Sequence, residues 1–144
     1  MRIKIPFIKS ETECPIVRYS LGNGATSFAL VDTGSEITLA DEAFAKENKY
    51  CFQIDVTKNK VVMHGVCGSN EKPVINATTN IRFGTTEQDM DVSITAVLTN
   101  LTNIKTTNKQ NGNVYHITLV LGSDFLTMNK AKLNFINSQL SLEQ

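Results

Sequence analysis

Apolar and polar residues alternate in short runs along most of the chain, and turn residues separate the runs. This two-residue period is that of half-buried β-strands. It predicts strands over residues 2–8, 15–21, 26–31, 52–56, 60–64, 73–83, 91–98 and 117–121, and a final hairpin over 132–142 turning at Asn137 and Ser138. Between the second and third strands stands Gly22-Asn23-Gly24, where Asn-Gly supplies the positive φ angles of a tight hairpin. No helix follows this Gly-x-Gly, so it is read as a turn and not as a phosphate loop. One segment offers a good helix, 41–49, with Ala40, Ala43 and Phe44 as its apolar face and Thr38-x-x-Asp41 ahead of it as a capping-box pattern. A shorter helix is expected over 124–130. The runs 52–64 and 73–83, on either side of a glycine-punctuated tip at 65–69, predict a long protruding hairpin. Residues 99–116 break the pattern, being rich in Thr and Asn with little to bury, and read as a surface loop. The expectation is a mostly β protein with no internal repeat.

The length of 144 residues suits one domain, 1–144, able to bury a core without disulfides or a structural metal. Fourteen basic and fourteen acidic residues give a net charge of 0, so the clustered basic excess that binds phosphates is missing and nucleic acid is not an expected partner. No apolar run approaches the roughly 18 residues of a membrane span, and the start MRIKIPFIKSE has no apolar signal-peptide region. Three cysteines, Cys14, Cys51 and Cys67, form an odd, sparse set that fits a reducing compartment, and a cytoplasmic protein is expected. The Met1 start points to an independent gene and not to a piece cut from a polyprotein.

Candidate chemistry lies in SFALVDTGSEITL, where an apolar strand runs into Asp32-Thr33-Gly34-Ser35 and resumes as Glu36-Ile37-Thr38-Leu39. Such a strand plants a carboxylate in a core, where desolvation makes an unpaired charge costly. Gly34 lets a backbone amide approach the carboxylate, and Thr33 and Ser35 add hydroxyls to hold the loop. The same four residues also suit an Asx-type turn at a strand end.

The wider context resembles the retropepsin-like aspartic proteases. ALVDTGSEITL is similar to their catalytic loop, and ITLVLGSDFL, with Val120-Leu121-Gly122, resembles the apolar-apolar-Gly element that passes beside that loop and leads into a short helix. VVMHGVCGSNEKPVI resembles their glycine-tipped flap, with Met63, His64, Gly65, Val66, Cys67 and Gly68 as candidate substrate contacts; AKLNFINSQLSL resembles their terminal hairpin. The resemblance spans residues 15–142. It implies a closed barrel with a flap hairpin and one or two short helices, with Leu30 and the positions near Leu119 as further pocket lining. Two departures stand out: the stretch 99–116 is longer than compact members carry, and Glu36 replaces a small or apolar residue.

Aspartic protease chemistry needs two carboxylates around one water, one ionised and one protonated. Asp41, Asp55, Asp89, Asp91 and Asp124 lack the Thr-Gly context, so the resemblance implies a homodimer whose two Asp32 residues face each other across a two-fold axis. It further implies an extended peptide substrate, no cofactor and no metal. Ser35 is similar to the residue of acid-active members, implying a hydroxyl bonded to ionised Asp32 and a rate maximum at roughly pH 4 to 6. Rival readings are fewer. His64-x-x-Cys67 with Cys51, Cys14 or His116 supplies soft ligands for zinc, but at poor spacing. A Cys-His nucleophile has no signature around any cysteine. A rival from another class is a retropepsin-like fold kept as a dimerising or peptide-binding module with little or no hydrolysis.

Overall fold

Alternation along the chain becomes eleven strands and two short helices among the residues that the computed structural model describes, 2–8, 14–63, 70–84, 89–107 and 111–143. In order these are β1 (Arg2–Pro6), β2 (Ile16–Leu21), β3 (Thr26–Val31), β4 (Leu39–Asp41), α1 (Glu42–Glu47), β5 (Phe52–Met63), β6 (Asn70–Gly84) and β7 (Asp89–Thr99). After them come β8 (Lys105–Thr107), β9 (Val114–Leu121), α2 (Ser123–Met128), β10 (Lys132–Asn134) and β11 (Gln139–Glu143). The larger sheet runs β2-β3-β9-β4-β7-β6, and β6 returns to β2 through Ser20↔Arg82 and Leu21↔Ile81, which closes a six-stranded barrel. β5 pairs with β6 outside that ring, and β1-β11-β10 form a separate small sheet.

Inward side chains of the barrel strands make the main core, with Val17, Tyr19, Val31, Ile81, Phe83, Met90, Leu119 and Leu121 almost wholly buried. A second cluster, Ile16, Leu39, Val97, Leu101, Ile117 and Val120, packs on the other side of the same strands. β9 serves both by alternation, Leu119 and Leu121 lying in the first cluster and Val120 in the second, and because its pairing with β3 slips between Phe28 and Ala29, Ile117 joins Val120 despite its even spacing from Leu119. Thr118, inside that slip, receives two short side-chain contacts of 2.6 Å, from the Tyr19 hydroxyl and the Ser27 hydroxyl. Burial pushes the Tyr19 phenol up to about 12, so it stays neutral in this cluster.

The Asn-Gly hairpin forms as expected: Leu21 N–H donates to Ala25 O at 2.8 Å, and Gly24 takes the positive φ of 86° that favours glycine. Other expectations are corrected. β1 ends at Pro6, and Ile8 contributes only an isolated bridge to Ile16. α1 covers Glu42–Glu47, its cap is Asp41 accepting from Phe44 N at 3.1 Å, and its buried residue is Ala45 while Ala43 is exposed. Thr38 is no cap, and the strand expected to resume at Glu36 begins at Leu39. The stretch 99–116 is not a bare surface loop. β8 pairs with a β9 that starts at Val114, Thr106 is buried, and Leu101 is 1% exposed with its N–H bonded to Asp41 Oδ1 at 2.9 Å. The second helix spans Ser123–Met128, shifted one residue earlier and ending sooner than 124–130.

Candidate active site

β3 and β4 do not pair with each other; β9 lies between them, parallel to β3 (Val31↔Leu121) and antiparallel to β4 (Leu39↔Val120). Residues 32–38 must therefore arch over the end of β9, and Gly122, leaving β9, passes beneath the arch. The clearance is that of backbone on backbone: a Cβ on Gly122 would lie 2.6 Å from Ile37 O and 2.8 Å from Ser35 O. Glycine is required there for close approach. Three hydrogen bonds pin the crossing, from Asp32 N to Leu121 O (3.1 Å), from Ser123 N to Ser35 O (2.7 Å) and from Gly122 N to Thr38 Oγ1 (3.1 Å). Val120 and Leu121 are fully buried under the arch.

Asp32 heads the arch. Its Oδ1 accepts from Gly34 N at 2.9 Å, and a Cβ on Gly34 would crowd that oxygen at 3.2 Å. The core burial expected for the carboxylate is not found in the single chain, where Asp32 is half-buried and Thr33 and Gly34 are exposed. Strand pairing ends at Val31, so the following residues rise to the surface. Ser35 also departs from expectation: its hydroxyl donates to Ile37 O at 2.7 Å, inside the loop, and not to Asp32.

Sequence patterns missed Asp124. Its Oδ1 accepts from Thr38 Oγ1 at 2.6 Å and from Phe125 N at 2.7 Å, and its Oδ2 accepts from Thr38 N at 3.2 Å. Because Thr38 Oγ1 also accepts from Gly122 N, its own proton goes to the carboxylate, which fixes the direction of the chain of bonds. Thr38 is 1% exposed, so its donors have no water to fall back on. This joint fastens the exit of the arch to the start of α2.

β5 and β6 run antiparallel up to Met63↔Asn70, with an irregularity between Val56 and Lys60. The tip candidates His64, Gly65, Val66, Cys67 and Gly68 lie outside the described residues. Of the other lining candidates, Leu119 belongs to the main core at 2% exposure, and Leu30 packs on the second cluster. His116 is exposed on β9 opposite Lys105, and Cys14 and Cys51 are half-buried thiols. Among the described residues no three His, Cys, Asp or Glu side chains gather where a metal ion could be held, and no helix is long and apolar enough to cross a membrane.

No protein-family model matches the sequence, and no curated protein matches it either. Solved structures do. The retroviral protease-like domain of Ddi1 from Leishmania major superposes with a TM-score of 0.54 at 14% identity, covering 90% of this chain and 92% of that one. A retropepsin-like aspartic protease from Rickettsia conorii gives 0.50, also at 14% identity, over 99% of this chain and 90% of that one. Likeness at this identity is a likeness of architecture, and by it the closed barrel with its arch over Gly122 is a retropepsin-like fold.

Proposed function

We propose that the protein is an aspartic endopeptidase that hydrolyses extended peptides between the Asp32 residues of two copies. The observation that carries this reading is the setting of Asp32: a half-exposed carboxylate, gripped on one oxygen by the Gly34 amide, on an arch pinned from below by Gly122. Such a carboxylate is fixed in place yet keeps an edge free for water. In the dimer one Asp32, ionised, takes a proton from the water as it attacks the scissile carbonyl. The other, protonated, gives its proton to the carbonyl oxygen. Collapse of the resulting diol transfers a proton to the leaving amine and restores the pair. Two carboxylates so close share a proton and titrate as a unit, giving a bell-shaped rate profile; the aspartic protease dyad is a standard instance of this behaviour.

The β5–β6 hairpin fits the part of a flap, adding strand-like hydrogen bonds along a peptide backbone while alternating side chains choose the bond to be cut. Met63, at the end of the described part of β5, leads into it. Neither metal nor cofactor enters this chemistry, and a cytoplasmic location completes the reading. The test is cleavage of a peptide library by the wild-type chain and by Asp32→Asn. Turnover that disappears in the Asn variant supports the proposal. Wild-type protein that binds peptides but cuts none overturns it in favour of a peptide-binding module.

A further inference from the structure

We propose that a pocket on the outward face of β2 and β3 binds a carboxylate borne on an apolar or aromatic group, with Arg18 as its anion contact. The cavity measures about 290 Å³, and its walls come from the end of β1 (Pro6, Phe7 and Ile8), from β2 (Arg18), from β3 (Phe28) and from β9 (Tyr115). Small-ligand sites begin at roughly 300 Å³. Arg18 and Phe28 stand opposite each other in the β2–β3 register, and the guanidinium carbon lies 5.7 Å from the centre of the Phe28 ring. The Phe28 and Tyr115 rings are 4.7 Å apart, tilted by 60°.

Charge pairing sets Arg18 apart. Of the three arginines in the chain, Arg2 is paired with Glu143 and Arg82 with Asp91, whereas among the described residues no carboxylate stands beside Arg18. A guanidinium held over a ring is oriented through its charge, which leaves its planar fork of N–H donors for a carboxylate. The main chain of the β1 wall has no donor to add. Pro6 has no N–H, and those of Phe7 and Ile8 are given to Ser138 O and Ile16 O, each at 2.8 Å. One cation among apolar walls suits a monoanion with an apolar body, and not a phosphate or a polyanion, which would enter with charge left unpaired. Phe28 also stands at the slip in the β3–β9 pairing, an irregularity of the kind that re-aims a side chain.

Two sources share this chemistry: the free C-terminal residue of a peptide that ends in an apolar side chain, and a free aromatic acid. Phe28 precedes Asp32 by four residues, about 13 Å along an extended strand. The pocket therefore lies apart from the carboxylate proposed to react, and its occupancy does not depend on whether Asp32 is catalytic.

Equilibrium titration of the full chain tests this, with hydrocinnamate and its primary amide, and the tripeptide acetyl-Ala-Ala-Phe as free acid and as amide, for probes. Both acids are expected to bind saturably, and the amides at least about tenfold more weakly, as the loss of a charge-assisted contact requires. Arg18→Gln should weaken the acids at least about tenfold and keep the wild-type melting curve, since Arg18 is exposed. If that variant does not fold, Arg18→Lys takes its place, expected to bind the acids several-fold more weakly because it keeps the charge and loses the fork. Tighter binding of the tripeptide acid than of hydrocinnamate assigns the pocket to peptide C-termini, and the reverse order assigns it to free acids. Amides that bind as the acids do, an Arg18→Gln chain that binds the acids as wild type does, or no saturation by either acid overturns the proposal. So does an affinity that falls as the protein is concentrated, which would mean that a second copy covers the pocket. Asp32→Asn should bind the acids as wild type does, whatever peptide cleavage shows; acids that lose their affinity in that variant sit at Asp32 and overturn the assignment to Arg18.

Discussion

Asp32 and Asp124 belong to the two chain segments that cross at one end of the barrel, each within two residues of a glycine, and the fold treats them in opposite ways. Asp32 accepts one hydrogen bond on its carboxylate among the described residues, from Gly34 N. Asp124 accepts three, two from Thr38 and one from Phe125 N. Burial alone would rank them wrongly, since Asp124 is the exposed residue and Asp32 the half-buried one. Donor count separates them. A carboxylate with both oxygens occupied by its own chain is a joint, and one with an oxygen to spare is available to water and substrate.

The sharpest way to break this contrast is to remove ionisation at each site without removing volume. Asp32→Asn keeps an oxygen for Gly34 N, so thermal stability should hardly move. Turnover should fall by about 10²- to 10⁴-fold or more, the range lost with a general acid or base. Steady-state cleavage and a melting curve on the same preparation check both halves. An Asn variant with near-wild-type turnover would reduce Asp32 to a second joint.

Next in size is the crossing itself. Gly122→Ala drives a methyl into Ile37 O and Ser35 O, backbone atoms that have no rotamer by which to give way. A loss of about 3 kcal/mol is expected in urea unfolding, at the upper end for overpacking. Gly34→Ala meets only the Asp32 side chain, at 3.2 Å. It should cost about 1 kcal/mol and act mainly on turnover, because the atom it displaces belongs to the carboxylate proposed to react, whose orientation would shift with it. Equal stability losses in the two variants would mean that the arch, and not the glycine beneath it, absorbs the strain.

Asp124→Ala should cost about 1–3 kcal/mol, the penalty for leaving buried Thr38 donors without an acceptor. Asp124→Asn keeps one oxygen and turns an amide N–H₂ toward a donor, so it should fall between wild type and Ala. Asp32→Ala, by contrast, should cost well under 1 kcal/mol. Urea midpoints for the three variants place the two carboxylates on one scale, and an Asp32→Ala loss as large as that of Asp124→Ala would erase the distinction.

What could be read from the sequence divides along the same line. Asp32-Thr33-Gly34-Ser35, the Asn-Gly hairpin and Val120-Leu121-Gly122 are local signals, in which neighbours along the chain are also neighbours in space. Asp124 gave no such signal. Its partner Thr38 is 86 residues away, and Thr38-x-x-Asp41 offered a nearer capping pattern that the fold leaves unused. The Thr- and Asn-rich stretch misled for another reason. Thr106 is a β-former that counts as polar, so the alternation of β8 was flattened, and Leu101 and Ile104 alone carried the apolar clue to the buried segment ahead of it.

The smallest expected effect concerns Ser35, which stands between the two roles. Its sequence resemblance implies a hydroxyl that bonds ionised Asp32 and lowers the lower apparent pKa of the pair; Ser35→Ala would then move the acidic limb of the rate profile upward in pH. In the chain the hydroxyl has one proton and donates it to Ile37 O at 2.7 Å. A hydroxyl so committed can only accept, and a carboxylate offers it no proton while ionised. It therefore braces the arch. Ser35→Ala should lose about 1 kcal/mol of stability, the worth of one hydrogen bond, and leave the acidic limb in place. A pH-rate curve and a urea melt of both proteins decide the matter: a limb displaced toward higher pH, with stability unchanged, would mean that dimer formation turns the hydroxyl from Ile37 to Asp32.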